Sequence, residues 1–192
     1  MPLNIPILLT WLRIVLIPLM IGIYYVPDSW LFGVGRDLAA MLVFVFAAWT
    51  DWLDGYLARR WNETSAFGAF LDPVADKLVV AAALIMLVQF GRLDAILAAI
   101  IIGREITISA LREWMAQVGA RKSVAVSMIG KIKTVAQMTA IPLLLYHQPI
   151  GKIDVQYYGT WLIYIAAVLT LWSMVYYMRM AWPHLAEQEK KQ

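Results

Sequence analysis

The sequence predicts an all-α fold: a polytopic integral membrane protein with six transmembrane helices and a polar site in the cytoplasmic half of the bundle. Three observations carry that prediction. Of 192 residues, 62% are hydrophobic and only 15% are charged, which leaves too little polar surface to cover a soluble globule of this size. The apolar residues fall into six long runs separated by short polar or breaker segments, and runs of that length suit a bilayer. None has the period-two alternation of barrel strands, so each must satisfy its own backbone in lipid as a helix.

The first run, Ile5 to Val26, stops at Pro27-Asp28-Ser29. The second covers Leu38 to Ala58, and the third covers Phe67 to Phe90 and ends at Gly91. The fourth, Leu93 to Trp114, is followed by Gly119, and the fifth runs from Ile132 to His147. Pro149 and Gly151 separate it from the sixth, Val155 to Trp182. These glycines and prolines are the expected chain breakers, and such short connections make successive helices antiparallel. One membrane domain over residues 1–182 and a polar cytoplasmic tail over 183–192 follow. The N-terminal MPLNIPILL has no basic region and no small-residue cleavage site, so the first run is predicted to be retained.

Orientation follows from the basic residues at the ends of runs. Arg59, Arg60, Arg112, Arg121, Lys122, Lys131, Lys133, Arg179, Lys190 and Lys191 flank one face, against Arg36, Arg92 and Lys152 on the other. This places both termini in the cytoplasm. Tyr24, Tyr25 and Trp30, and Trp172, Tyr176 and Tyr177, read as interfacial aromatic belts, with no sign of a base-stacking, nucleic-acid-binding surface.

Four aspartates stand out against this background: Asp51, Asp54, Asp72 and Asp76. An uncharged run of thirteen residues, Leu38 to Thr50, precedes the first, and another thirteen, Leu78 to Phe90, follow Lys77. At about 1.5 Å per residue each run accounts for roughly 20 Å of a hydrocarbon core of about 30 Å, so the acids lie in its cytoplasmic third. Asp51 and Asp54 are three apart and Asp72 and Asp76 four apart, so each pair shares a helical face and the two pairs can converge. Four acids there need neutralising, and hard divalent cations, Mg²⁺ or Mn²⁺, suit an all-oxygen donor set. Two such ions would imply phosphate chemistry. The chain has no cysteine, which excludes thiolate ligands and a cysteine nucleophile, and His147 and His184 lack ligand spacing and read as interfacial or surface residues.

Taken singly, each aspartate has a plainer reading. Asp51 and Asp54 could cap the second helix beside Arg59 and Arg60, and Asp72 before Pro73 resembles a helix N-cap. All four at these spacings, with Gly55 and Gly68 leaving room for a bulky ligand against the backbone, favour a functional site.

Asp51, Asp54, Gly55, Ala58, Arg59, Gly68, Asp72 and Asp76 spell D-x2-D-G-x2-A-R-x8-G-x3-D-x3-D, which resembles the defining motif of the CDP-alcohol phosphatidyltransferases. Every motif position matches. The segments NIPILLTWLR, RWNETSAFGAFLDPVADK, REITISALREWM and SVAVSMIGKIKTVAQM are most similar to the bacterial branch that joins CDP-diacylglycerol to glycerol 3-phosphate. The resemblance implies six helices, a cytoplasm-facing site in the bacterial inner membrane, and a homodimer formed through transmembrane helices. It implies two metal ions, one held by Asp51, Asp54 and Asp72 and one by Asp51, Asp72 and Asp76. Asp76 would also be the general base on the acceptor hydroxyl. Gly55, Ala58 and Gly68 would line the cytidine pocket, Arg59 would meet the pyrophosphate, and Asn4 and Thr10 would contribute from the first helix to CDP-diacylglycerol binding.

An acceptor carrying a phosphate needs cations near the metal site. Arg104, Arg112, Lys131 and Lys133 are the candidates, with Arg104 and Arg112 about 80° apart around their helix and able to line one groove. Their plainer reading is that Arg104 pairs with an acid in the bundle, Glu105 pairs with Arg112, and the lysines anchor the cytoplasmic face. Arg13 reads either as a partner of the aspartates or as an interfacial residue extending to the headgroups. Competing functions are another member of the family, a cardiolipin or phosphatidylinositol-phosphate synthase, and a divalent-cation transporter with the acids on its ion path. The apolar outer halves of the second and third runs argue against the transporter.

Overall fold

The computed structural model describes residues 5–31, 33–61, 66–117 and 128–189. The described residues form six α-helices: α1 (Ile5–Gly22), α2 (Arg36–Trp61), α3 (Ala66–Gln89), α4 (Ala95–Gln117), α5 (Met128–Tyr146) and α6 (Val155–Glu189). Each overlaps one of the six apolar runs. A short 3-10 turn, Asp28–Leu31, follows α1, and no strand occurs among the described residues. Two helical stretches, Arg36–Leu57 and Val155–Pro183, are long and apolar enough to cross a membrane, and Ile7–Gly22 and Ile132–Tyr146 are apolar but shorter.

The helix ends carry the chemistry expected of caps. Asp94 accepts from the Ile96 amide at 2.7 Å at the start of α4, and Asp154 accepts from the Tyr157 amide at 3.1 Å at the start of α6, each satisfying an otherwise orphaned N–H. Gly91 ends α3 at φ +66°, with Arg92 N–H donating to Leu87 O at 2.8 Å and Gly91 N–H to Val88 O at 3.0 Å. That paired return to the last-turn carbonyls needs a left-handed residue, which glycine supplies cheaply. His147 ends α5 with the same left-handed backbone, at φ 57°, its N–H donating to Leu143 O at 3.1 Å.

Two expectations change. Asp72 is not an N-cap, because α3 begins at Ala66 and carries Pro73 inside it, so the aspartate stands within the helix. The sixth helix does not end at Trp182 but continues through Pro183 to Glu189.

The core explains how the ends are held. Met20, Phe44, Leu84, Leu87, Ile101 and Leu144 are buried in one cluster, drawn from α1, α2, α3, α4 and α5. The α1 helix packs on α2 and α3, α3 also meets α4 and α5, and α6 lies along α5 and α4. At one end of the bundle Arg92 ties three elements together. It bonds Asp37 Oδ1 at 2.8 Å and the Leu145 carbonyl at 2.7 Å, while the Tyr24 hydroxyl also donates to Asp37 at 3.2 Å. Arg92 was read as a flanking charge; it is a half-buried clamp joining α2, the α3–α4 turn and the end of α5.

Candidate active site

At the opposite end the polar residues gather, and α1 holds them. Thr10 and Arg13 are three residues apart and therefore share a helical face; both are almost fully buried. The Arg13 guanidinium pairs with Asp51 Oδ1 at 2.7 Å and with Asp54, while the Thr10 hydroxyl donates to Asp72. One helix thus grips the acids of α2 and the first acid of α3. Of the two readings open for Arg13, the structure selects the aspartate partner, since a residue 1% exposed does not extend to an interface. The signal was present in the sequence: an arginine within an apolar run, with no acid on its own helix, requires a partner from another one.

The aspartates differ in access. Asp54 is buried, whereas the Asp51 side chain is 42% exposed, so a ligand can reach the pair from the Asp51 side. Gly68 is buried beneath the site. Among the described residues no three acidic or imidazole groups converge as a metal-coordinating set; Arg13 and Thr10 take up the carboxylate oxygens instead. The donor chemistry nevertheless fits hard cations, because four carboxylates outnumber the single guanidinium seated among them, and all but Asp54 are partly solvent-accessible.

Asp76 is one turn beyond Asp72 on α3 and borders a cavity of about 150 Å³. That cavity brings Asp76 together with Arg104, Glu105 and Arg112 of α4 and Lys133 and Gln137 of α5. Each cation is positioned. Arg104 donates to Ser173 Oγ of α6 at 2.9 Å and to Glu105 at 3.3 Å. Arg112 donates to the Tyr177 hydroxyl at 3.2 Å, and its guanidinium lies 5.1 Å from the centre of that ring. Lys133, 3% exposed, pairs with Glu105. The expected pairing of Glu105 with Arg112 does not form, because Glu105 faces α5 and bridges Lys133 to Arg104 instead.

With Lys77, Arg104, Arg112 and Lys133 against Glu105 and Asp76, the cavity lining is net positive and chemically suited to an anion, with two carboxylates on its wall. Arginine suits phosphate by its planar fork of donors, and low exposure strengthens each contact. Taken singly, Ser173 and Gln137 carry no sequence signal of a role, and Tyr177, which composition places in an interfacial aromatic belt, is instead fully buried; Ser173 and Tyr177 orient the two arginines. Ser173 and Tyr177 are four apart, as are Lys133 and Gln137, a same-face spacing that an apolar run makes easy to overlook. Asn4 lies outside the described residues, as do the side chains of Ala58, Arg59 and Lys131. Gly55 stands beside Asp54 on α2.

Residues 3–172 match the family model described as CDP-alcohol phosphatidyltransferase. The chain is 50% identical over 190 residues, 98% of its length and 100% of theirs, to proteins of Escherichia coli (strain K12) and Shigella flexneri. Both of those proteins are named CDP-diacylglycerol–glycerol-3-phosphate 3-phosphatidyltransferase. A protein of the same name from Shigella boydii serotype 4 is similar to the same extent.

Proposed function

This chain belongs to the CDP-alcohol phosphatidyltransferase family and transfers the phosphatidyl group of CDP-diacylglycerol to glycerol 3-phosphate; we propose that it does so at the junction of the aspartate cluster and the cationic cavity. One observation carries the assignment of the site: Asp76 belongs to the four-aspartate motif and also borders the cavity that holds Arg104, Arg112 and Lys133. A base and a phosphate-binding group are thereby neighbours.

In this mechanism Arg104, Arg112 and Lys133 bind the phosphate of the acceptor and present its free hydroxyl toward the aspartates. Asp76 takes the proton of that hydroxyl as its oxygen bonds to the phosphorus that carries the diacylglycerol. The bond from that phosphorus to the oxygen bridging it to CMP breaks, and CMP leaves with the electron pair. Asp51, Asp54 and Asp72 are suited to hold one divalent cation, and Asp51, Asp72 and Asp76 a second, Mg²⁺ or Mn²⁺. Bound there, such ions supply charge neutralisation and Lewis-acid polarisation of the pyrophosphate. Thr10 positions Asp72, and Arg13 positions Asp51 and Asp54. Gly55, Ala58, Gly68 and Arg59 remain the proposed cytidine and pyrophosphate contacts, Asn4 and Thr10 proposed contributors to CDP-diacylglycerol binding, and Lys131 a proposed contributor to acceptor binding.

The six helices are assigned as membrane spans of the bacterial inner membrane, with both termini and the site on the cytoplasmic face. Two strongly apolar helices support this. So do large apolar side chains exposed on the outer surface, among them Leu8, Ile85, Ile96, Val135 and Trp172, a pattern that a water-soluble monomer rarely shows. The homodimer implied by the family resemblance belongs to the same assignment.

The test is CMP release by the purified protein in detergent with CDP-diacylglycerol and alternative acceptors. Glycerol 3-phosphate is expected to support turnover. Release with inositol phosphate or phosphatidylglycerol, and none with glycerol 3-phosphate, rejects the acceptor assignment.

A further inference from the structure

Gln137 lines the cavity and is 4% exposed, yet its Oε1 is buried without a hydrogen-bond partner. A buried acceptor oxygen left unpaired is costly and uncommon, and calls for an explanation at its own position. Its neighbours make the explanation specific. Arg104 Nε and Arg112 Nε, from two other residues of the same cavity, are also buried without hydrogen-bond partners. The cavity residues therefore offer unused donors and one unused acceptor together.

Unused guanidinium donors suit phosphate oxygens, but a phosphate dianion has no hydrogen to give an amide oxygen. The acceptor needs a hydroxyl. A ligand satisfying both sets carries a phosphate and an alcohol a few bonds apart. Glycerol 3-phosphate has two alcohols: the reacting one, whose proton goes to Asp76, and the secondary one beside it, which does not react. We propose that Gln137 is a specificity-determining residue whose Oε1 accepts a hydrogen bond from the non-reacting secondary hydroxyl of the acceptor. The inference rests on the acceptor reading above and adds to it how the polyol is distinguished from a simple phosphorylated alcohol. Placement supports it, since Gln137 follows Lys133 by one helical turn on α5 and so shares its face. With the phosphate at Lys133, the hydroxyl on the carbon next to the phosphate-bearing one is the group this placement would offer to Gln137.

The experiment compares glycerol 3-phosphate with 3-hydroxypropyl phosphate, which lacks only the secondary hydroxyl. Both are given to the native enzyme and to Gln137→Met, a variant of similar volume with no strong acceptor. The native enzyme is expected to prefer glycerol 3-phosphate in kcat/KM by about 10- to 100-fold, the range for a site that must hydrogen-bond a substrate hydroxyl. In Gln137→Met the preference should fall to within about threefold, through loss with glycerol 3-phosphate alone and with KM for CDP-diacylglycerol unchanged. Equal use of both acceptors by the native enzyme overturns the inference without any variant. An equal loss for both acceptors in Gln137→Met overturns it in favour of a packing role. If the Met variant does not fold, the comparison on native enzyme decides. Absence of any CMP release from native enzyme with glycerol 3-phosphate is a different result and rejects the acceptor reading itself.

Discussion

Replacing Arg104 by Met removes one guanidinium from the acceptor cavity while keeping most of the side-chain volume. The structural cost is modest. The lost contacts are a hydrogen bond to Ser173 Oγ at 2.9 Å, a weaker one to Glu105 at 3.3 Å, and an approach of 6.0 Å to the Tyr177 ring. Lys133 stays beside Glu105, so no buried carboxylate is left alone. A neutral-partner hydrogen bond and a cation–ring contact together suggest about 1–2 kcal/mol of stability. The functional cost should be larger, because a charge-assisted bond to phosphate is worth about 1.5–3 kcal/mol. That converts to a fall of about 10- to 150-fold in kcat/KM for glycerol 3-phosphate. The assay is CMP release at varied acceptor and saturating CDP-diacylglycerol, then the reverse. KM for CDP-diacylglycerol should move less than about threefold. Equal losses for both substrates, or an unchanged acceptor KM, refute the placement of the phosphate beside Arg104.

Asp76→Asn keeps the shape of the side chain but cannot accept the proton, so turnover should fall by about 10²–10⁴ with CDP-diacylglycerol binding retained; near-normal turnover removes the general-base role. Arg13→Met strips the aspartates of their buried counter-charge. Added Mg²⁺ or Mn²⁺ should therefore raise the melting temperature of this variant more than that of the native protein, and equal shifts would show that Arg13 and the ions do not share the carboxylates. Arg92→Met breaks the clamp to Asp37 and Leu145 at the far end of the bundle. Stability should drop by about 1.5–3 kcal/mol, the range for hydrogen bonds to a charged group in a part-buried pair, read as a lower unfolding midpoint with acceptor KM unchanged. An altered acceptor KM would instead connect that end to the site.

The helices were legible because a lipid-facing backbone leaves few options, and a run such as Val155 to Trp182 declares a helix even though that helix continues to Glu189. Their ends were less so. Asp72-Pro73 looks like a helix start by its residues alone, yet the helix begins at Ala66, and the aspartate's oxygen goes to Thr10 rather than to a backbone amide. The four aspartates and the cations were visible as charges out of place in apolar runs. Which charge meets which was not, since Glu105 has Arg104 beside it, Arg112 two turns on and Lys133 on the next helix, and only the packing of α4 on α6 and the approach of α5 decide for Arg104 and Lys133. The place of Arg92 at a span end was legible but its role was not, because a count of charges at span ends does not distinguish a solvated anchor from a clamp. Gln137 carries no charge and sits among apolar residues, so its unpaired oxygen became meaningful only once the cavity around it was known.

The central claim is that the acceptor phosphate sits between Asp76 and the cations of α4 and α5. An experimental structure with glycerol 3-phosphate bound tests it most directly. Phosphate density is expected within hydrogen-bond distance of Arg104, Arg112 and Lys133, with a carbon-borne hydroxyl facing Asp76. Phosphate density elsewhere, with this cavity holding only water, contradicts it.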